Sequence, residues 1–302
     1  MKTISCFLPY AGKEQVENSV NELQATGLVK EIYLMTAEEG AENIPGCELM
    51  TIDNPFSSQT MKAMAEKATG AFTLLCTKET ALSLGMFALN RMTQLATDSD
   101  AGMVYADHYQ RTGDVQKQAP VIDYQFGSLR DDFDFGSLLL FHTGKLKEAA
   151  SRMKQNYTFA GWYDLRLKLS QKSDLVHINE YLYTEVELDP RRSGEKIFDY
   201  VDPRNRNRQI EMEQACTEHL KEIGGYLAPD FQKITFDATG FEVEASVIIP
   251  VRNRIRTIRD AIRSVLTQKT DFPFNLIVID NHSTDGTTEA IDEFKDDERL
   301  IH

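Results

Sequence analysis

Asp280 closes an apolar run, Leu276 to Ile279, and opens the polar stretch Asn281-His282-Ser283-Thr284-Asp285-Gly286-Thr287. A carboxylate at the carboxyl end of a buried strand stands where open α/β sheets bind their ligands. The competing role is helix capping, for which Asp285 or Ser283 is better placed, since Asp280 is still attached to its strand. An earlier apolar run, Val247 to Ile249, ends at Pro250 and leads into Val251-Arg252-Asn253-Arg254. Guanidinium forks there suit phosphate oxygens. The series continues through Arg256, Arg259 and Arg263, so an exposed basic helix face competes on equal terms.

These residues need a strand, a helix and a second strand to hold them. Val247 to Ile249 reads as a buried parallel strand. Ile255, Ile258, Ile262 and Val265 recur at helical spacing, giving one apolar face. The same order opens the chain: the run TISCFLPY ends at Pro9-Tyr10, Val16, Val20 and Leu23 follow at helical spacing with Gly27 as a stop, and EIYLM (Glu31 to Met35) is a second strand. Pro9 and Pro250 lie about 240 residues apart, far too long a period for a solenoid, so two domains of one type are expected. The first copy runs on. Strands are expected at Glu48 to Ile52, Ala71 to Cys76, Gly102 to Ala106 and Ser137 to Phe141, with short extended pieces at Leu175 to Ile178 and Tyr181 to Tyr183. Helices are expected over Ser58 to Ala68, Leu82 to Leu95, Tyr163 to Leu169 and Asn207 to Ile223, and a carboxylate-rich loop over Gly127 to Gly136. Alternating strands and helices predict an α/β fold, a mainly parallel sheet covered on both faces.

SVIIPVRNR, a helix ending SVLTQ, and IVIDNHSTDGT together resemble the opening of family 2 glycosyltransferases, which have the GT-A fold. Residues 1–185 resemble the same family in their order of elements. The resemblance implies a sugar moved from a nucleotide-diphosphate donor, a UDP-sugar, to a saccharide acceptor with inversion. It places nucleotide contacts at Val251, Arg252, Asn253 and Asp280, where a carboxylate accepts the uracil imide N–H. In the first copy the matching contacts are Pro9, Tyr10, Thr36, Thr77 and Lys78. There the family's Asp-x-Asp triplet, which binds ribose and a divalent metal, aligns with Thr77-Lys78-Glu79, leaving Glu79 as the one metal ligand. Thr36 stands where the base-binding Asp would be, and Gly161-Trp162 where the acceptor-side helix opens with Glu-Asp. Lys78 could replace part of the metal's charge. For the base that takes the acceptor proton, the candidates are Asp164 and Asp134, with Asp131 and Asp132 beside the latter; an acidic surface loop is the alternative for the loop residues. Trp162, with Tyr163, could stack on a sugar or serve the core. Because the first copy is altered at three places, residues 1–240 are alternatively a non-catalytic module that binds saccharide or docks an active domain.

The expected organisation is a GT-A-like domain over 1–185, a helical tail and linker over 186–240, and over 241–302 the β-α-β start of a second, truncated GT-A domain. One such unit leaves a sheet face uncovered, so poor order is expected after residue 240 unless the piece packs on the first domain or on a neighbouring chain. The 302 residues carry a formal charge of −14, which excludes a nucleic-acid binder dependent on clustered cations. No run is long enough for a membrane span, no signal peptide opens the chain, and Cys6, Cys47, Cys76 and Cys216 lack zinc spacing. His108, His142 and His177 read as structural. A cytoplasmic protein is expected, free or at the inner face of the membrane.

Overall fold

The structure, a computed structural model, describes residues 3–10, 12–38, 40–186, 206–233 and 242–302. Parts of the expected linker, residues 187–205 and 234–241, lie outside them. The chain divides into a first unit, Met1–Ala228, and a second, Pro229–His302.

The first unit begins β1 (Ile4–Pro9), α1 (Lys13–Ala25), β2 (Val29–Thr36), β3 (Glu48–Thr51), α2 (Ser58–Lys67) and β4 (Phe72–Cys76). It continues β5 (Ala81–Leu84), α3 (Ala88–Asp98), β6 (Met103–Thr112), β7 (Val115–Ala119), β8 (Leu138–His142), α4 (Thr143–Ser151), α5 (Gly161–Ser170), β9 (Leu175–Val186) and α6 (Arg206–Glu222). The sheet order is β3-β2-β1-β4-β8-β6-β9-β5, with β7 paired to β6. It is parallel through β3-β2-β1-β4. Beyond, β8 runs antiparallel to both its neighbours, and β6 and β9 are parallel to each other.

Residue alternation sorts the core into two layers, because successive strand side chains point to opposite faces. Ile4, Cys6 and Leu8 meet Val16, Val20 and Leu23 of α1 and Leu89 and Met92 of α3 on one face. Phe7, Tyr33 and Leu75 meet Met61 and Met64 of α2, Leu146 of α4 and Leu165 of α5 on the other. The α/β class expected from the sequence is the class observed.

Two local expectations change. Leu82 to Leu84 is strand, not helix, because β5 pairs antiparallel with the end of β9, and the helix starts at Ala88. The two short pieces after Leu175 are one strand, β9, whose register with β6 shifts at Asp107. The helix over 206–222, expected as a tail of the first domain, packs on that domain. Ala215 packs with Tyr157, Tyr163 and Leu167, and Glu211 accepts the backbone N–H groups of Thr158, Phe159 and Ala160 at the start of α5.

The second unit holds β10 (Ala245–Val251), α7 (Ile258–Leu266), β11 (Phe274–Asp280), α8 (Thr287–Asp292) and β12 (Leu300–Ile301). Its strands are parallel in the order β10-β11-β12. The register repeats that of the first unit: Pro250 faces Ile279 as Pro9 faces Met35. Asp280 therefore corresponds to Thr36. Instead of the poor order expected, the piece has a core of its own. Val251, Ile258, Ile262, Leu276, Val278 and Ile291 are buried together because α7 and α8 cover one sheet face. The opposite face remains bare, with Ile248 58% and Ile279 53% exposed.

Candidate nucleotide and saccharide sites

In the first unit a cavity of about 530 Å³ opens at the carboxyl ends of β1, β2 and β4. Pro9, Thr77, Lys78 and Glu79, all expected from the sequence, line it; Tyr10 and Thr36 do not. Tyr10 packs against the α1 side of the core. Thr36 is buried, and its hydroxyl accepts the Glu38 N–H. Residues 77–80 form a tight turn: Thr77 N–H donates to Ser137 O, Thr80 N–H to Lys78 O, and the Cys76 thiol to Lys78 O. The turn feeds into β5, whose Leu82 is the partner of Glu185 on β9, so Lys78 and Glu185 are brought face to face. Lys78 Nζ donates to both carboxylate oxygens of Glu185 at 3.2 Å.

Glu185 is only 5% exposed. His108 Nε2 stands 3.2 Å from its Oε1, off the line of a hydrogen bond. Burial pushes the His108 imidazole below its usual pKa, which keeps it neutral. His108 stacks on Tyr183, whose hydroxyl accepts from Ser137 N–H at 2.9 Å and Leu138 N–H at 3.3 Å. The sequence reading missed Glu185, Gln110 and Phe56 in this cavity. Glu185 carried one signal, a lone carboxylate in the strand-like run Tyr181 to Val186.

A second cavity, about 320 Å³, is bordered by Phe56, which also borders the first. Trp162, Asp131, Phe159 and Arg208 are among the other residues of its wall. Trp162 serves the core, one of the two roles weighed for it. It meets Phe135 and Phe141 edge-on in the core while turning part of its ring to the cavity.

The four carboxylates proposed as bases part company. Asp131 lines the second cavity. Asp132 is taken up by Arg130, at 2.8 Å through two bonds, which holds its carboxyl below the usual range. Asp134 is exposed and accepts the Gly136 N–H at 2.9 Å. Asp164, 1% exposed, lines neither cavity. Burial pushes its pKa up to about 6 against the pull of Lys168, 3.7 Å away. Lys168 in turn meets Glu218 and Glu222 of α6, so this cluster holds α6 to α5.

His177 bridges Asp107 at 2.9 Å and Asp123 at 2.7 Å and stacks on Tyr105, and His142 meets Phe72 edge-on. The divalent metal implied by the resemblance does not fit the first unit. Glu185 is committed to Lys78, Glu79 stands alone, and among the described residues no three His, Cys, Asp or Glu side chains gather to hold an ion.

In the second unit two loops meet at the ends of β10 and β11. Asp280 Oδ1 accepts the Ser283 N–H at 3.1 Å and the Ser283 hydroxyl at 2.6 Å, and its Oδ2 accepts the Thr288 hydroxyl. These bonds hold its carboxyl below the usual range, Ser283 first. Asn253, at φ 52°, donates its N–H to the Ser283 hydroxyl and accepts the Thr284 N–H through its side chain. Asp285 braces the loop by accepting the Ile255 N–H and the Thr287 N–H, which leaves Asp280 free of the capping role. Val251 is buried, so only its backbone meets the loop, accepting the Asn281 N–H. Arg259 is paired with Glu293, while Arg252, Arg254 and Arg256 are exposed.

Residues 246–302 match the family model described as Glycosyl transferase family 2. This match, over the last 57 of the 302 residues, agrees with the resemblance read from the sequence of that stretch. Two solved structures of TarS from S. aureus, residues 1–349, are similar to the chain. One is at 9% identity and TM-score 0.47, covering 72% of this chain and 65% of TarS 1–349. The other, in complex with UDP-GlcNAc, is at 11% identity and TM-score 0.49, covering 72% and 71%. The chain thus spans less than two thirds of the first of these. No curated protein sequence matches it.

Proposed function

We propose that the protein is a glycosyltransferase that takes its sugar from a nucleotide-diphosphate donor, a UDP-sugar, and passes it to a saccharide acceptor with inversion. The observation that carries this reading is Asp280. It ends the second strand of the stretch that matches the family, and Ser283 and Thr288 fix its carboxylate in ionised form. A fixed carboxylate is a ready acceptor for the uracil imide N–H. Arg252 and Asn253, one loop away, lie on the side where a diphosphate would follow, and the exposed Arg252 guanidinium suits its oxygens. Inversion requires direct attack by an acceptor hydroxyl whose proton a carboxylate removes. For a transfer within the first unit, Asp134 and Asp131 are the exposed candidates for that base, while Asp164 is taken up by the joint between α5 and α6. The reaction is assigned to the cytoplasmic side; among the described residues no helix is long and apolar enough to cross a membrane.

Calorimetric titration of the full chain with UDP tests this. Asp280→Asn should weaken binding roughly 10- to 100-fold, the worth of a hydrogen bond to a charged group. No binding by the parent chain, or equal binding by the variant, refutes the assignment.

A second reading concerns the first unit alone, as a non-catalytic module that binds saccharide or docks an active domain. The Lys78–Glu185 pair favours it, because the cation that would neutralise a leaving diphosphate is already neutralised. On this reading Lys78→Ala retains sugar transfer.

A further inference from the structure

We propose that the cavity of the first unit binds an uncharged, hydroxyl-rich ligand, a saccharide segment, and that Glu185 is the residue that keeps nucleotide diphosphates out. This rests on the reading of the first unit as non-catalytic. The cavity wall carries one cation, Lys78, and two carboxylates, Glu79 and Glu185. A diphosphate brings further negative charge and needs cations or a metal to receive it. Lys78 cannot supply that charge freely. Moving it onto a phosphate strips Glu185, a nearly buried carboxylate, of the two bonds it receives at 3.2 Å. A buried charge that loses its partner is strongly unfavourable. His108, the other group beside Glu185, is buried and makes no hydrogen bond to it.

The same wall suits a sugar. Carboxylate and amide oxygens of Glu79, Glu185 and Gln110 accept from hydroxyl groups, and Lys78 and Gln110 donate. Phe56 and Pro55 present apolar surface to the C–H face of a pyranose ring. The volume of about 530 Å³ lies within the range of small-molecule sites.

The test uses the full chain and two probes. In saturation-transfer NMR, a panel of methyl glycosides of glucose, galactose and N-acetylglucosamine receives magnetisation from the parent protein. Gln110→Ala, at an exposed strand position that does not endanger folding, weakens that binding roughly tenfold, as loss of a hydrogen-bonding partner would. In an Asp280→Asn background, which removes the second unit's contribution, UDP binds weakly, and adding Glu185→Gln raises its affinity roughly tenfold by releasing Lys78. Glycoside signals that are absent, or unchanged by Gln110→Ala, overturn the ligand assignment. UDP affinity in the Asp280→Asn background that Glu185→Gln fails to raise overturns the role of Glu185. UDP that binds the Asp280→Asn chain as tightly as it binds the parent overturns the non-catalytic reading of the first unit itself, and the proposal with it.

Discussion

Gly161 opens α5 where that helix presses directly on the segment before α2. A Cβ placed there would lie 2.1 Å from Ser58 N, 2.2 Å from the Ser57 carbonyl carbon and 2.7 Å from Phe56 O. All three are backbone atoms, so no side chain can rotate away. Two hydrogen bonds flank the contact, Trp162 N–H to Phe56 O at 3.0 Å and Ser58 N–H to Tyr157 O at 2.8 Å, and they fix the spacing from both sides. Gly161→Ala must push α5 and the 56–58 segment apart. Overpacking with backbone displacement costs about 3 kcal/mol, the upper end of its usual range. For a unit of this size that is a fall of roughly 6–12 °C in melting temperature. Because Phe56 borders both cavities, saccharide binding in the first unit should weaken in parallel. Scanning calorimetry of the full chain reads the effect, with Gly127→Ala as the control, since nothing lies within 4 Å of a Cβ there. A melting temperature lowered by less than about 2 °C would refute the close-contact reasoning. The same clash explains why a glutamate could not stand at this position without rebuilding the loop.

Asp164→Asn should stabilise the protein above neutrality. The folded carboxyl keeps its proton up to about pH 6 because it is buried, whereas the unfolded one loses it near pH 4. Between these values the folded state binds more protons, so stability falls as pH rises, by about 2–3 kcal/mol at pH 8. Asparagine, which stands in for the protonated form, escapes that loss. Urea unfolding of both proteins from pH 4 to 8 checks this, and parallel curves would refute it. Ser57→Ala removes the cap that accepts the Thr60 N–H at 3.1 Å and should cost about 1 kcal/mol in the same assay. Tyr183→Phe deprives two buried backbone N–H groups of their acceptor. It should cost about 2–4 kcal/mol, and a loss below 1 kcal/mol would mean that the two groups find other acceptors.

The elements that hold the candidate sites were legible where burial dictates residue type. β1 and β4 are apolar runs because both faces of each strand are covered, and α7 shows its stripe because only one of its faces is. Position in the sheet was less legible. Leu82 looks like the start of a helix until β9 arrives to pair with it, and no local spacing reveals that partner. The sites divide in the same way. Asp280 was recognisable because its strand, its loop and its hydroxyl partners are contiguous in sequence. Glu185 was not, since its meaning depends on Lys78, brought to it by pairing between distant strands. Asp164 has a helical position suited to chemistry, but its neighbours on α6, Glu218 and Glu222 through Lys168, turn it into part of a helix–helix joint.

The strand order has a consequence for how the chain acquires its structure. β4 is flanked by β1 and β8, and β5 waits for the end of β9, about a hundred residues further along the chain. As the polypeptide leaves the ribosome, Ala81–Leu84 stays without its strand partner until Val186 has emerged. The lining of the larger cavity is unfinished for the same interval, since Glu185 arrives last. The second unit joins only strands that are neighbours in sequence. Refolding from denaturant should therefore proceed in two phases, with Ala245–His302 the quick one and closure of the long-range sheet the slow one.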